Sequence, residues 1–290
     1  MTAVSTKSYG SVLIVGGNVN NPLTGDPIFE FSGDGGGKFG CNTKRALGFD
    51  PDSNAEVPLT CTGPESDMVD NNPIDDWPAL TSTGAPIAGP GVNPKLLGTV
   101  YRHGIGHQVT YGGRPLYLFV PRQAFFLIPG EGYMETVEPL PPWHGFWFLV
   151  SSNAGQPAPG VATIEVGTLK DGKKVVAAEM DPHVGGVAVT VYSYSRDRPG
   201  VSKCNGACAV KWVPVLTRGR PQVSGIAAKA VGIIRRPDGT DQVTYDGNPL
   251  YLYSAEKGIF IDNLPSSAGT AGNGNGLSSP VGGKFSIISR

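Results

Sequence analysis

Charged residues are scarce in this chain: they make up 16% of its 290 residues, against about a quarter in an average soluble domain. The net charge is −1, and Lys and Arg form no stripe or tail, so the electrostatic signature of a nucleic-acid-binding protein is missing. No apolar run approaches the ~18 residues that a membrane-spanning helix needs. The sequence therefore argues against a nucleic-acid partner and against a transmembrane segment.

Long helical periodicity is also nearly absent. The apolar residues instead form short runs among 42 glycines and 26 prolines, which is typical of many short strands joined by tight turns. We predict an all-β fold of two tandem small domains, each sandwich-like or barrel-like. One helical turn is expected at Ala207 to Trp212. The Gly-, Ser- and Asn-rich stretch from Leu264 to Gly283 is expected to form a long flexible loop.

There are four cysteines, one pair in each half of the chain: Cys41, Cys61, Cys204 and Cys208. An even number suits disulfides in an oxidising compartment, and we predict the bonds Cys41–Cys61 and Cys204–Cys208. Free thiols or a metal site are the alternatives, although no second close pair completes a four-ligand zinc set beside Cys204 and Cys208. We expect an extracytoplasmic location, yet the polar segment Met1 to Gly10 has no apolar signal-peptide core.

Self-similarity is the strongest signal in the sequence. Residues 108–119 read QVTYGGRPLYLF and residues 242–253 read QVTYDGNPLYLY, identical at nine of twelve positions. Gly-Gly or Asp-Gly at the centre of each segment predicts a tight hairpin turn between two strands. Upstream, residues 29–34 align with residues 192–197 as an aromatic strand that leads into a turn.

Matched landmarks divide the chain into two domains built from one module. Each half runs from the aromatic strand through a cysteine segment and a Trp segment to the hairpin and a closing strand. We place the first domain at residues 1–152, with an insertion at 42–76, and the second domain at residues 160–290. The residues between them are rich in Gly, Pro and Ala, which is the composition of a linker.

The second half also carries a family motif. Residues 192–197, Tyr-Ser-Tyr-Ser-Arg-Asp, fit the pattern Y-x-[FWY]-x-x-D, and the cysteine segment up to Trp212 and the run from Arg236 to Tyr251 continue the match. Over residues 185–290 the chain resembles the bacterial secreted-repeat family, predicted lipoproteins of unknown function. The resemblance implies an envelope-associated, mainly β protein with no established reaction. The lipid-anchoring cysteine that such a lipoprotein carries near its start is absent here.

The aromatic motif and its degenerate copies are the first candidate site. Side chains at positions i and i+2 of a strand share one face, so Tyr192 and Tyr194 can form an aromatic platform, beside which Asp197 can bind a cation or turn N–H groups. The alternative is that the rings belong to the core and the aspartate caps a turn. The motif positions are Phe29, Phe31, Asp34, Tyr117, Phe119, Tyr192, Tyr194, Asp197, Tyr251 and Tyr253.

Two histidines are the second candidate site. His103 and His107 flank the predicted turn of the first hairpin, where both imidazoles can converge on copper or zinc. The second half has Pro237 and Asp241 at these positions, so the pair is not a property of the repeated module. Two exposed turn histidines that bind nothing are the alternative.

No catalytic constellation is recognisable, since the chain has neither a G-x-S-x-G element nor an evident Ser, His and Asp set. Our leading hypothesis is a non-enzymatic extracytoplasmic binding or assembly module, whose partner is another protein or a second copy of the chain. Two alternatives stay open. One is a copper- or haem-binding accessory protein of a redox system, which would use His103 and His107 or a tyrosine, and the other is a carbohydrate-active hydrolase.

Overall fold

The computed structural model describes residues 1–6, 9–16, 25–34, 38–44, 46–50, 55–63, 77–119, 145–153, 159–169, 171–179, 187–256, 260–261 and 271–290. The chain divides into two compact units. The first unit comprises Met1–Trp143 and Trp147–Ala158, and the second comprises His144–Phe146 and Pro159–Arg290.

The fold is nearly all β, as the sequence predicts. The described strands of the first unit are β1 (Thr2–Thr6), β2 (Gly10–Val15), β3 (Asp26–Pro27), β4 (Phe29–Phe31), β5 (Ala46–Asp50), β6 (Ala55–Leu59), β7 (Leu97–Arg102), β8 (Gly106–Tyr111), β9 (Arg114–Pro115) and β10 (Trp147–Leu149). The described strands of the second unit are β11 (Thr163–Thr168), β12 (Lys174–Glu179), β13 (Val187–Thr190), β14 (Tyr192–Tyr194), β15 (Trp212–Pro214), β16 (Gln222–Val223), β17 (Val231–Arg235), β18 (Asp241–Tyr245), β19 (Asn248–Pro249), β20 (Tyr251–Tyr253), β21 (Phe260–Ile261) and β22 (Phe285–Ile287).

Among the residues that the structure describes, helical structure is limited to short pieces of the second unit. The helix α1 (Ala207–Lys211) lies where the sequence predicts a helical turn. A 3-10 turn at Ala228–Ala230 precedes β17. No helix in the described part of the chain is long and apolar enough to cross a membrane.

Local sequence explains why the strands and turns form where they do. β2 and β12 are central strands of their sheets, and their runs Val-Leu-Ile and Val-Val-Ala-Ala are buried without alternation, because both faces of these strands are covered. At the turn between β18 and β19, Asp246 and Gly247 take φ values of 47° and 78°. Positive φ at both central residues is the geometry that suits a two-residue hairpin loop.

Comparable sheets occur in both units. The antiparallel sheet β1-β2-β3 has its counterpart in β11-β12-β13, which β16 and β21 extend at the two edges. The sheets β7-β8-β9 and β17-β18-β19 hold the repeated hairpins. The four-stranded order β15-β20-β14-β22 is matched in the first unit by the pair β10-β4 and by bridges from Tyr117 to Phe29 and Ala79. The insertion adds the antiparallel hairpin β5-β6 to the first unit.

Corresponding residues of the two units pair in the same register. Val12 bridges Ser151 in the first unit, and Val175 bridges Ser289 in the second. The strands β7 and β8 also pair in the same register as β17 and β18. A slip of one residue would turn every side chain of a strand to the opposite face, so corresponding side chains point inward in both units.

Stacked aromatic rings fill the core of each unit. Trp77 stacks on Trp147 with ring centroids 3.8 Å apart, and Trp212 stacks on Phe285 at 3.7 Å. All four side chains are at most 1% exposed. Burying an apolar side chain of this size contributes on the order of 2–3 kcal/mol, so these rings are a large part of what holds each unit together.

The disulfides Cys41–Cys61 and Cys204–Cys208 form as predicted, across sequence separations of 20 and 4. The cysteines are buried against the aromatic cores. The first bond closes the loop that carries β5 and β6, and the second ties the loop before α1 to its first turn.

The Gly-rich stretch near the C-terminus differs from the flexible loop that its composition predicts. In its described part, Gly274 donates its N–H to the Tyr192 hydroxyl at 3.1 Å, and Gly276 donates to the Phe285 carbonyl at 2.8 Å. A Cβ on Gly274 would lie 2.8 Å from the Trp212 ring, so only glycine allows the backbone to come this close. Residues 264–270 lie outside the described residues.

Candidate functional site

The ten motif positions are core positions. Seven are at most 4% exposed: Phe29, Phe31, Asp34, Tyr117, Tyr192, Tyr194 and Tyr251. The other three are half-buried: Phe119, Asp197 and Tyr253. The two half-buried rings pack on the core tryptophans, with Phe119 4.6 Å from Trp77 and Tyr253 4.8 Å from Trp212 between ring centroids. This placement matches the core alternative, and the buried motif rings offer no open aromatic platform.

A buried polar network joins the motif aspartate of the first unit to its hairpin. Tyr117 donates its hydroxyl hydrogen to Asp34 Oδ2 at 2.7 Å, and Asp34 Oδ1 accepts from the Cys41 N–H at 3.3 Å. Arg102 donates to the Tyr117 hydroxyl at 3.0 Å and to the Cys41 carbonyl at 2.7 Å. It also donates to Gln108 Oε1 at 2.6 Å. The network therefore fixes the aspartate turn, the disulfide loop and the hairpin to one another.

The second unit contains an equivalent network with one added group. Tyr251 donates to Asp197 Oδ2 at 2.7 Å, and Arg236 donates to Gln242 Oε1 at 2.7 Å and to the carbonyl of the first disulfide cysteine at 3.1 Å. Ser202 lies between the arginine and the tyrosine, with its Oγ 2.8 Å from both the Arg236 guanidinium and the Tyr251 hydroxyl. The same elements are joined as in the first unit, through a different set of contacts.

Burial governs the protonation of these groups. It raises the pKa of Asp34 to about 6, against the lowering effects of the Tyr117 hydrogen bond and the Arg102 charge. Burial and the neighbouring Asp34 charge raise the pKa of Tyr117 well above its usual value, so this hydroxyl keeps its proton and donates it to the carboxylate. Burial likewise raises the pKa of Tyr251. Because these buried groups hydrogen-bond to one another, their role is structural.

One buried carboxyl group is specific to the second unit. Tyr192 donates to Glu256 Oε2 at 2.7 Å, and Glu256 Oε1 accepts from the Gly272 N–H. Burial raises the pKa of Glu256 to about 7, despite these hydrogen bonds. The first unit has Phe29 at the position of Tyr192, so it has no hydroxyl to make this bond.

The two hairpins expose different side chains at matched positions. In the first unit, Tyr101 on β7 is paired with His107 on β8, with the ring centroids 5.4 Å apart in an edge-to-face contact. Tyr101 is 66% exposed, and His103 lies exposed in the turn between the strands. In the second unit the matched positions hold an ion pair, with an Arg235 nitrogen 2.9 Å from Asp241 Oδ1.

The histidine hypothesis has no third ligand among the described residues. Within the ranges that the structure describes, no group of three His, Cys, Asp or Glu side chains could hold a metal ion. Among the described residues, the copper or haem alternative therefore keeps only the candidates that the sequence gives it, which are His103 and His107 or a tyrosine. The acidic end of the insertion, residues 64–76, lies outside the described residues.

Sequence reasoning missed the side chains that bind the motif aspartates into networks: Arg102, Gln108, Arg236 and Gln242. A signal was present, because Arg102 and Arg236, like the two glutamines, are separated by the same 134 residues as the hairpins. Polar residues kept in both copies of a duplicated core are candidates for a buried network. Glu256 could not be found in this way, since Arg122 stands at the matching position of the first half.

Comparisons with known proteins identify no relative: the chain matches no family model, no curated protein and no solved structure. The resemblance to the secreted-repeat family thus depends on the motif residues of the sequence.

Proposed function

We propose that the chain is a non-enzymatic binding or assembly module that acts outside the cytoplasm. The observation that carries this proposal is the burial of the repeated residues. Inside each unit, the rings of the aromatic motif pack in the core, and the Asp, Tyr and Arg side chains of the network bond to one another. The residues that the two units share are then scaffold, and we assign recognition to exposed positions at which the two units differ.

The Tyr101–His107 pair is the leading recognition surface. Tyrosine is enriched at protein interfaces because it buries a large ring and still has a polar end to hydrogen-bond. Among the described strands, Tyr101 lies on an edge strand, β7, of a three-stranded sheet. An edge strand can pair with a strand of another chain. The second hairpin has the Arg235–Asp241 ion pair at the matched positions, so it lacks this aromatic surface.

Two features support an extracytoplasmic location. Both disulfides of the chain, Cys41–Cys61 and Cys204–Cys208, suit an oxidising compartment, because cytosolic thiols are kept reduced. The motif residues 192–197 resemble those of an envelope-associated family. Labelling of free thiols in protein taken directly from intact cells tests the location, and we expect no labelled cysteine until a reductant is added.

Photo-crosslinking at position 101 tests the binding function. A photoreactive phenylalanine analogue replaces Tyr101 in the full chain, and Ile87, which is 82% exposed, is replaced in the matched control. We expect a discrete adduct from position 101 and little or none from position 87. An adduct of twice the chain mass identifies a second copy, and any other discrete mass identifies a protein partner.

Two results would contradict the proposed function. Absence of an adduct at position 101, or equal yields at both positions, would remove the hairpin as a recognition surface. Hydrolysis of a panel of glycosides by the purified chain, above the buffer blank, would contradict the non-enzymatic assignment and favour the hydrolase alternative.

A further inference from the structure

The turn that follows the aromatic strand differs in charge between the two units. Residues 195–203 read SRDRPGVSK, and the aligned residues 32–40 read SGDGGGKFG. Arg196, Arg198 and Lys203 therefore occupy positions that are glycine in the first unit. The fold does not need these cations, because the first unit builds its aspartate network without them. A charge that the fold does not require is a candidate for recognition.

These cations lie together on the surface of the second unit. Ser195 donates its N–H to the Lys284 carbonyl at 2.9 Å, which places the chain before β22 beside the turn. The Arg196 guanidinium donates to the Val281 carbonyl. Arg198 exchanges backbone hydrogen bonds with Val201 inside the turn, at 3.2 and 2.8 Å.

We call this surface the basic patch, and its members are Arg196, Arg198, Val201, Lys203, Val281 and Lys284. The four cations are exposed, and the two valines are 43% and 50% exposed. Positive charge beside exposed apolar side chains is a surface that can bind an acidic peptide with interspersed apolar residues.

Carboxylates next to the basic patch do not neutralise it. Asp197 is half-buried, and its two oxygens accept from the Tyr251 hydroxyl and the Lys203 N–H, each at 2.7 Å. Asp246 is exposed on the adjoining turn, where the Gly247 carbonyl accepts from the Gly200 N–H at 2.9 Å. Even with Asp246 counted, four cations leave the patch positive.

Complementary charge is found in the other half of the same chain. Residues 159–290 contain 15 Lys and Arg and 10 Asp and Glu, a net charge of +5, whereas residues 1–158 contain 8 and 14, a net charge of −6. Five of those carboxylates fall within residues 64–76, which read PESDMVDNNPIDD and contain no Lys or Arg. Met, Val and Ile are interspersed among them.

From this complementarity we infer that the basic patch binds residues 64–76 of a second copy of the chain. Each copy carries one acidic segment and one basic patch, so the contact joins unlike surfaces and can repeat from copy to copy. The inference rests on the proposed assembly function and adds to it a charge-driven contact that is separate from the hairpin surface.

A labelled synthetic peptide of residues 64–76, titrated with the full chain in fluorescence anisotropy, tests the patch. We expect saturable binding that weakens about tenfold or more in R198E/K203E, because two attractive contacts become repulsive. Raising NaCl from about 50 mM to about 500 mM is expected to weaken binding as well, since salt screens exposed charges. The control K173E/K229E makes the same change in net charge at exposed lysines elsewhere on the second unit, and it should bind within about twofold of wild type.

Several outcomes would overturn the inference. The first is an equal loss of binding in K173E/K229E. The second is undiminished binding of a peptide whose five carboxylates are replaced by amides. The third is failure of the peptide to bind a chain that is folded, as shown by its native near-ultraviolet circular dichroism. Vesicles that contain an anionic phospholipid serve as competitor. If they bind through the same two residues more tightly than the peptide does, the patch belongs to a membrane surface instead.

Sedimentation velocity of the full chain decides whether the contact joins separate copies. We expect larger species at low salt, which R198E/K203E abolishes and K173E/K229E does not. A salt-independent monomer would overturn the contact between copies even if the peptide binds. The photo-crosslink from position 101 reports the hairpin surface separately, so the proposed function and the basic patch can fail independently.

Discussion

The two units pack the same kind of core with different side chains. The ring stacked on the core tryptophan is Trp147 in the first unit and Phe285 in the second, yet the centroid distances are 3.8 and 3.7 Å. The arginine contacts the network tyrosine directly in the first unit, whereas Ser202 lies between them in the second. Individual groups in this core can therefore be exchanged if the buried network stays hydrogen-bonded.

Buried carboxyl groups outside the shared network are held differently in the two units. In the first unit Glu30 is 1% exposed and lies 3.1 Å from an Arg114 nitrogen. Ser193 and Asn248 stand at those positions in the second unit. There, Glu256 is held by a tyrosine hydroxyl and backbone N–H groups, which are neutral. The protonation of Glu256 should therefore give the second unit a pH dependence of its own.

Removing a core tryptophan is the strongest way to test whether the two stacks are equivalent. Trp212→Ala is expected to lower the free energy of unfolding of the second unit by about 4 kcal/mol, and Trp77→Ala to do the same for the first unit, because each leaves a large cavity. Scanning calorimetry that resolves the two unfolding transitions measures both effects. A loss below about 1 kcal/mol in either variant would show that its stack is dispensable.

Replacing Glu256 tests the difference in buried charge. The folded pKa of about 7 lies above the ordinary value of 4.5, so the folded unit binds the proton more tightly than the unfolded chain does. Its stability is therefore greatest below the ordinary value, falls as pH rises towards the folded value, and levels off above it. We expect wild type to lose about 2–3 kcal/mol over this range. Glu256→Gln, which stays uncharged, should lose less than about 1 kcal/mol.

Denaturant unfolding of the second unit on both sides of this pH range checks the expectation. Asp34→Asn is the matched control, because it removes a buried carboxyl group from the first unit and should leave the pH dependence of the second unchanged. A wild-type stability that is flat across the range would show that the Glu256 carboxyl ionises as freely when folded as when unfolded.

Removing the network hydroxyl from each unit tests how far the two networks differ. Tyr117→Phe is expected to cost about 2 kcal/mol, because Asp34 is 4% exposed and cannot replace the lost donor with water. Tyr251→Phe is expected to cost about 1 kcal/mol, because half-buried Asp197 can take a water molecule instead. Urea unfolding measures both, and equal losses would contradict this account of the difference.

Exchanging the hairpin pairs should have the smallest effect on stability. Y101R/H107D gives the first hairpin the pair found in the second, and R235Y/D241H does the reverse. Each exchange should change the unfolding free energy by less than about 0.5 kcal/mol, because three of the four side chains are exposed and Asp241 is only half-buried. A thermal shift assay measures this. A loss of several degrees in the first variant would mean that Tyr101 and His107 serve the fold rather than recognition.

Local features were the ones that the sequence could predict. The hairpin turn at Asp246 and Gly247 depends on neighbouring residues alone, and the same is true of the short helix at Ala207–Lys211. The disulfides followed from one cysteine pair in each half. These predictions needed no knowledge of how distant strands come together.

The contacts of the candidate site depend on distant strands, and the sequence does not show them. The hydroxyl bonded to Asp34 belongs to Tyr117, 83 residues away, so the pair exists only once the sheets have formed. The packed role of Gly274 was missed for another reason. A run of glycines predicts flexibility, yet the lack of a side chain also allows the backbone to lie directly on a tryptophan ring.

The Cys41–Cys61 bond has a consequence for protein engineering. It fixes both ends of the loop that carries β5 and β6. We therefore expect a change inside this loop to leave the fold of the rest of the unit in place. Doubling the length of such a loop costs only about 0.6 kcal/mol in closure entropy. A foreign epitope or affinity tag can therefore be grafted between β5 and β6 and displayed on this scaffold. The Cys204–Cys208 loop, whose ends are 4 residues apart, is too short to accept such an insertion.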